Sequence, residues 1–267
     1  MMQQLSLKHR LNNGDSVYGI FNSIPDPLMI EVIAASGYDF VVIDTEHVAI
    51  NDETLAHLIR AAEAAHIIPI VRVTAVIDRD IIKVLDMGAR GIIVPHVKDR
   101  ETVEHIVKLS RYYPQGLRSL NGGRMARFGR TPLLDAMEMA NEHIMVIAMI
   151  EDVEGVMAID DIAQVEGLDM IVEGAADLSQ SLGIPWQTRD DQVTSHVQHI
   201  FEIVNAHGKH FCALPREDED IAKWQAQGVQ TFILGDDRGK IYRHLSASLA
   251  TLNRKGMKAN AYSSTCY

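Results

Sequence analysis

Glu151 and Asp177 are the residues of this 267-residue chain whose types and settings most directly suggest chemistry. Each stands just after an apolar run, Glu151 in AMIEDVEG and Asp177 in VEGAADLSQSLG. Two carboxylates converging on one cavity offer two chemistries. Completed by water and substrate oxygens, they suit Mg²⁺ or Mn²⁺, hard ions that prefer oxygen ligands. Without a metal, one could take a proton from carbon while the other orients a partner. Arg72 closes the run IIPIVRV, where an unpaired guanidinium would be expensive and needs an anion. A 2-oxo acid offers one in bidentate geometry that Lys cannot copy, and a strand-end carboxylate offers another. His47 ends IDTEH and His96 ends GIIVPH, so either imidazole could polarise a carbonyl or move protons near neutral pH. Gly174, Ala175 and Ala176 open a helix directly after a strand and could present backbone N–H groups to a carboxylate or phosphate. Arg118, Arg124 and Arg127 lie in the Gly- and Arg-rich stretch PQGLRSLNGGRMARFGR and could meet an anionic substrate or nucleotide phosphates. A solvated loop charge is the plainer role for each of the three.

These residues work together only if the chain gathers them. Short apolar, β-branched runs alternate with amphipathic stretches along its length, the rhythm of repeated βα units around a parallel sheet. Strands are expected at Val17–Phe21, Phe40–Asp44, Ile68–Val73, Gly91–Pro95, Met145–Ile150, Met170–Glu173, His210–Leu214 and Thr231–Gly235. About eight such strands close a (β/α)8 barrel. FVVID, GIIVP, MVIAMIE and TFILG are continuously apolar, as strands buried on both faces should be. The C-terminal rim of a barrel is where strand-end side chains share a cavity. The candidates there are Asp44, Glu46, His47, Arg72, His96, Glu151, Glu173, Asp177 and Asp236. A single domain over 1–252 is expected, followed by a loosely ordered tail over 253–267.

Composition narrows the class. With 47% hydrophobic and 23% charged residues, the chain can build a sizeable core. Its formal net charge of −11 argues against an extended nucleic-acid surface, which needs clustered Lys and Arg. No stretch approaches roughly 18 uninterrupted apolar residues, and the polar start lacks a secretory pattern, so no membrane association and a cytoplasmic location are expected. The cysteines, Cys212 and Cys266, make no metal-type spacing, and Cys212 reads as an inert core residue.

IDTEH, VRV, LDMGARGIIVPHV, YPQGLRS, MIEDVEGV and GAADLSQSLG occur in the order and spacing of the HpcH/HpaI aldolases, within the phosphoenolpyruvate/pyruvate-binding barrel superfamily. The chain resembles that family from about Val17 to Gly239. The resemblance implies a barrel whose last helix packs on a neighbouring subunit, giving a homo-oligomer, a dimer or hexamer. It implies His47 as an acid–base residue, Arg72 on the 2-oxo acid, and Glu151 with Asp177 as metal ligands. The sequence departs from the aldolase pattern in three places. Glu173 and Ala175 replace an apolar residue and Pro in a segment that usually reads FIGPADLS. His96 follows VP where an apolar residue is common, and SLGIPWQ follows the site.

With these departures the chain is most similar to the citrate synthases of siderophore gene clusters, which supply citrate for staphyloferrin B-type siderophores in iron acquisition. That subgroup is regarded as metal-independent. The resemblance then implies condensation of acetyl-CoA with oxaloacetate and no required cofactor. Arg72 and a histidine, either His47 or His96, would polarise carbonyl oxygens, Glu151 would be the first choice for the base and Asp177 the second. Glu173, Gly174, Ala175, Ala176 and Arg124 would contact substrates, with loop arginines on the CoA phosphates. The alternative is a metal-dependent 2-oxo acid aldolase using Mg²⁺ or Mn²⁺.

Overall fold

In a computed structural model, which describes residues 6–251, eight parallel strands close into a barrel in sequence order. They are β1 (Val17–Asn22), β2 (Phe40–Asp44), β3 (Ile68–Arg72), β4 (Gly91–Val94), β5 (Met145–Ile150), β6 (Met170–Glu173), β7 (His210–Ala213) and β8 (Thr231–Asp236). Each expected strand is present, with ends shifted by at most one residue. The helices are α1 (Leu7–Asn12), α2 (Pro27–Ala35), α3 (Asp52–Ala64), α4 (Asp78–Met87), α5 (Arg100–Ser110), α6 (Leu133–His143), α7 (Val153–Met157), α8 (Ile159–Ala163), α9 (Ala175–Ser181), α10 (Asp191–Ala206), α11 (Asp218–Ala226) and α12 (Asp237–Thr251). The expected tail over 253–267 lies outside the described residues.

Alternation along the strands decides which side chains face the cavity. Phe40 and Val42, Ile68 and Ile70, Met145, Ile147 and Met149, and Met170 and Val172 fill the barrel interior. Their neighbours Val41, Ile43, Val71, Val146, Ala148, Ile150 and Ile171 belong to the layer between barrel and helices. Successive side chains point to opposite faces, so Asp44, Arg72 and Glu151 continue the inward rows, whereas Glu173 continues an outward one. Asp44 and Arg72 are also register partners across β2 and β3. The inward phase and the register therefore bring an acid and a base side by side at the C-terminal rim.

The helices start cleanly. Asn51 caps α3 through Thr54 N–H at 2.8 Å and Asp99 caps α5 through Thr102 N–H at 2.7 Å. Removing such a cap costs about 1 kcal/mol. The start of α12 is pinned to β1: buried Asp237 accepts Asn22 Nδ2 at 2.7 Å and Ser23 N–H at 2.8 Å. Beyond that anchor the helix leaves the barrel. Ile241, Leu245 and Leu249, spaced to share one helix face, are 37, 63 and 45% exposed. Cys212 is fully buried in the barrel interior, where burial pushes its thiol pKa well above the usual range, as expected of an inert core residue.

Candidate active site

Arg72 lies at the floor of a cavity of about 450 Å³ that opens at the C-terminal rim, with Phe21, Asp44 and His47 around it. Its Nε donates to Asp44 Oδ1 at 2.9 Å and its Nη2 to Oδ2 at 2.8 Å, a bidentate pair almost sealed from solvent. Nη1 stands 3.1 Å from Glu46 Oε2, and the guanidinium lies 4.6 Å from the centre of the Phe21 ring. Burial disfavours its charge, but Asp44, Glu46 and Glu151 outweigh that and hold its pKa above the ordinary value. Arg72 is ion-paired with a strand-end carboxylate, one of the two anions its position called for, and it also lines the cavity. The pair fixes the plane of the guanidinium. Of its five N–H groups, two donate to the Asp44 carboxylate through Nε and Nη2, while Nη1 lies within ion-pair distance of Glu46 without a hydrogen bond to it.

Glu46 links this pair to a second cluster. Its Oε1 is 3.6 Å from His96 Nε2, and its Oε2 is 3.8 Å from His47 Nε2. His96 in turn donates its backbone N–H to Glu151 Oε1 at 2.9 Å and sets Nδ1 3.0 Å from Asp152 Oδ2. The backbone of His96 is left-handed, with φ of 53°, a conformation uncommon for a non-glycine residue. That turn brings its N–H and its imidazole onto the same carboxylate group, with Nδ1 3.7 Å from Glu151 Oε1.

Glu151 is nearly inaccessible, and burial is the main reason its pKa is pushed up to about 7; the negative charges of Asp177 and Glu46 add to this, while the His96 contacts oppose it. For His96, burial acts downward, but Glu151, Asp152 and Glu46 outweigh it and the imidazole pKa is raised. With Nδ1 of His96 3.7 Å from Glu151 Oε1, the protonation of each group bears on that of the other. Gly174 makes room for this carboxylate: a Cβ there would sit 2.5 Å from Glu151 Cβ and 2.6 Å from its Oε2. Asp177, half-buried in the first turn of α9, stands close enough for its charge to act on Glu151. His47, Arg72, His96, Glu151 and Asp177 are thus gathered at one rim, as their strand-end positions suggested.

Three expectations need correction. Glu173 does not enter this site, because it lies on the outward row of β6. Its Oε2 accepts Ala175 N–H at 2.9 Å and its Oε1 accepts Leu214 N–H at 2.8 Å, so it ties β6 to the start of α9 and the end of β7. The same bond occupies Ala175, so the Gly174–Ala176 turn does not offer that N–H to a substrate. Arg124 lies at the opposite end of the barrel: it pairs with Glu63 in the last turn of α3, which also meets Arg90 just before β4. The loop follows a helix, so it returns to the N-terminal rim. Arg118 is likewise buried there, on Asp86 at 2.8 Å and stacked over Tyr112 at 4.8 Å.

Sequence reasoning named Asp44 and Glu46 only as strand-end residues and gave them no role. It did not single out Phe21, Trp186, Arg216, Arg238, Lys240 or Arg243, which also line the cavity. The signal for four of these was present: Arg216 follows the seventh apolar run in LPRED, and Arg238, Lys240 and Arg243 occur in DDRGKIYR after the eighth.

The closed parallel barrel gathers carboxylates, an arginine and histidines at its C-terminal rim, side-chain types that can bind a small anion and move protons. The HpcH/HpaI aldolase/citrate lyase family model matches residues 17–243, and the chain belongs to that family. It is 94% identical to the crystal structure of the citrate synthase SbnG, covering 94% of this chain and 99% of that one with a TM-score of 0.89. The structure of an E151Q variant of that synthase matches at 86% identity, covering 94% and 100% of the two chains, with a TM-score of 0.81. A 5-keto-4-deoxy-D-glucarate aldolase of Shigella dysenteriae serotype 1 (strain Sd197) is 30% identical over 237 residues, 89% of this chain and 92% of its own.

Proposed function

We propose that this chain is a citrate synthase that condenses acetyl-CoA with oxaloacetate to give citrate and CoA, and that the citrate supplies siderophore biosynthesis. The observation that carries the reading is its near-identity to a citrate synthase over almost the whole chain. The site supports the chemistry. Oxaloacetate is a 2-oxo acid bearing an extra carboxylate, and Arg72, fixed by Asp44, is the group that binds it. Glu151, with a pKa of about 7, takes a proton from the acetyl methyl group. The resulting enolate carbon bonds to the ketone carbon of oxaloacetate. His47 or His96 donates to the carbonyl oxygens on which negative charge develops, and a proton passes to the new alkoxide. Water then cleaves the thioester, releasing CoA. Asp177 raises the basicity of Glu151 and is the second choice for the base.

A metal-dependent 2-oxo acid aldolase is the second reading, favoured by the proximity of Asp177 to Glu151. Those two carboxylates would hold a Mg²⁺ or Mn²⁺ ion together with substrate oxygens, and the ion would supply Lewis-acid polarisation of the 2-oxo acid. Among the described residues no group of three or more His, Cys, Asp or Glu side chains is arranged to hold a metal. The uncovered Ile241, Leu245 and Leu249 face of α12 supports a homo-oligomer in which that helix packs on a neighbouring copy. None of the helices in the described residues is long and apolar enough to cross a membrane; we place the enzyme in the cytoplasm, where acetyl-CoA is supplied. The test is to incubate the protein with acetyl-CoA labelled with ¹³C in its methyl group and oxaloacetate. Label in a methylene carbon of citrate supports the reading, and label remaining in the thioester overturns it.

A further inference from the structure

We propose that Arg216, Arg238, Lys240 and Arg243 form a cationic rim that holds the phosphate-bearing end of the acyl donor while its thioester reaches down to Arg72. This rests on the synthase reading, in which the donor is a thioester of a nucleotide-carried thiol. All four side chains line the same cavity as Arg72. In a chain of net charge −11, four cations around one mouth are a local reversal of sign, which attracts an anion wherever the overall charge points. Four acids, Asp44, Glu217, Asp218 and Asp236, line the cavity too, one fewer than its cations when Arg72 is counted. Asp44 is occupied by Arg72 at the floor, and Glu217 is drawn away to Arg189 at 2.7 Å. Asp236, 3.9 Å from Arg238 Nε, is bound by Gly239 N–H at 2.7 Å.

The rim has a flat partner for a base. Trp186 lines the mouth with its side chain about half exposed, and its backbone is held left-handed, with φ of 68°, by a 2.8 Å bond from its N–H to Ser179 Oγ. A bulky residue in that conformation is a strained exception that the surrounding structure must maintain. An indole at the edge of a cationic groove is a stacking platform for a nucleotide base. In the Gly-rich loop, Arg124 is bound to Glu63 and Arg118 to Asp86, both at the other end of the barrel.

The test uses the full chain, an Arg216→Ala/Lys240→Ala variant, its conservative counterpart Arg216→Lys/Lys240→Arg, and Arg124→Ala. Calorimetric titration with CoA and with dephospho-CoA, which lacks the 3′-phosphate, reads the rim directly. Loss of the two charges should weaken CoA about tenfold or more, each charge-assisted phosphate contact being worth a few-fold to tenfold. The conservative exchange should restore most of the affinity, dephospho-CoA should bind the wild type more weakly, and Arg124→Ala should match the wild type. Equal affinity of the wild type and the double alanine variant, or absence of CoA binding by the wild type, overturns the proposal.

Turnover separates this from the reading it rests on. The preference for acetyl-CoA over S-acetyl-N-acetylcysteamine, a donor without the nucleotide, should fall about tenfold in the double alanine variant. Citrate formation with that preference unchanged refutes the rim and leaves the synthase reading standing. Rim-dependent CoA binding without citrate formation refutes the synthase reading and supports the rim.

Discussion

Replacing Glu151 by glutamine keeps the shape of the side chain and removes both its charge and its basicity, so two independent readouts should move together. The folded pKa of about 7 lies above the ordinary value of 4.5, so the fold favours the protonated acid. Stability from this group is fully present below about 4.5 and is lost as pH rises through about 7. A shift from 4.5 to about 7 corresponds to roughly 3 kcal/mol at 1.36 kcal/mol per unit. With only 2% of the side chain exposed, no discount for solvent screening applies. Glutamine carries no such cost. The stability of Glu151→Gln relative to the wild type should therefore rise by up to about 3 kcal/mol between pH 4 and pH 8. Urea unfolding of both proteins across that range measures the difference, in which titrations remote from Glu151 cancel and that of His96, which Glu151 raises, does not. In the same variant citrate formation should fall by about 10² to 10⁴, the usual contribution of a general base. In the wild type kcat/KM should climb with pH through about 7 as Glu151 ionises. A stability difference that is flat in pH, or a variant within tenfold of wild-type activity, would refute this account of Glu151.

Three further substitutions probe the supports of the site. Asp44→Ala leaves the Arg72 guanidinium buried without its bidentate partner and should destabilise the fold by about 3–5 kcal/mol, read from urea midpoints. Gly174→Ala puts a methyl group on the Glu151 carboxylate, so activity should fall at least tenfold with a displaced pH profile, and an unshifted profile would remove Gly174 as a positioning residue. Glu173→Ala orphans the Ala175 and Leu214 N–H groups and should cost about 1–3 kcal/mol for each left unsatisfied, while the KM for oxaloacetate stays at the wild-type value. A raised KM would return Glu173 to the substrate site.

Much of this arrangement was legible before any coordinates. The strands announce themselves because parallel strands buried on both faces need unbroken apolar runs, and the rim residues follow from where those runs end. The same unbroken runs hide the phase. In FVVID or MIVE every position is buried, so no polar alternation marks which side chains face inward. Glu173 was assigned to the cavity for that reason, although its register with Met170 and Val172 turns it outward. Arg124 was misplaced by chemistry without direction: a basic, glycine-rich loop looks like an anion site, yet a loop that follows a helix returns to the far rim. The Asp44–Arg72 pair depended on register, which an isolated sequence does not state. Attention to the first residue after each strand also passed over Arg216, in the loop after β7, and Arg238, Lys240 and Arg243, in the first two turns of α12.

The most direct test of the central claim is release of free CoA thiol from acetyl-CoA and oxaloacetate by the purified protein, with and without EDTA. The metal-free synthase account predicts oxaloacetate-dependent thiol release that persists in EDTA, with citrate as the product. No thiol release, together with oxaloacetate decarboxylation or aldol cleavage that appears with Mg²⁺ or Mn²⁺ and stops in EDTA, would contradict it and make the chain a metal-dependent aldolase.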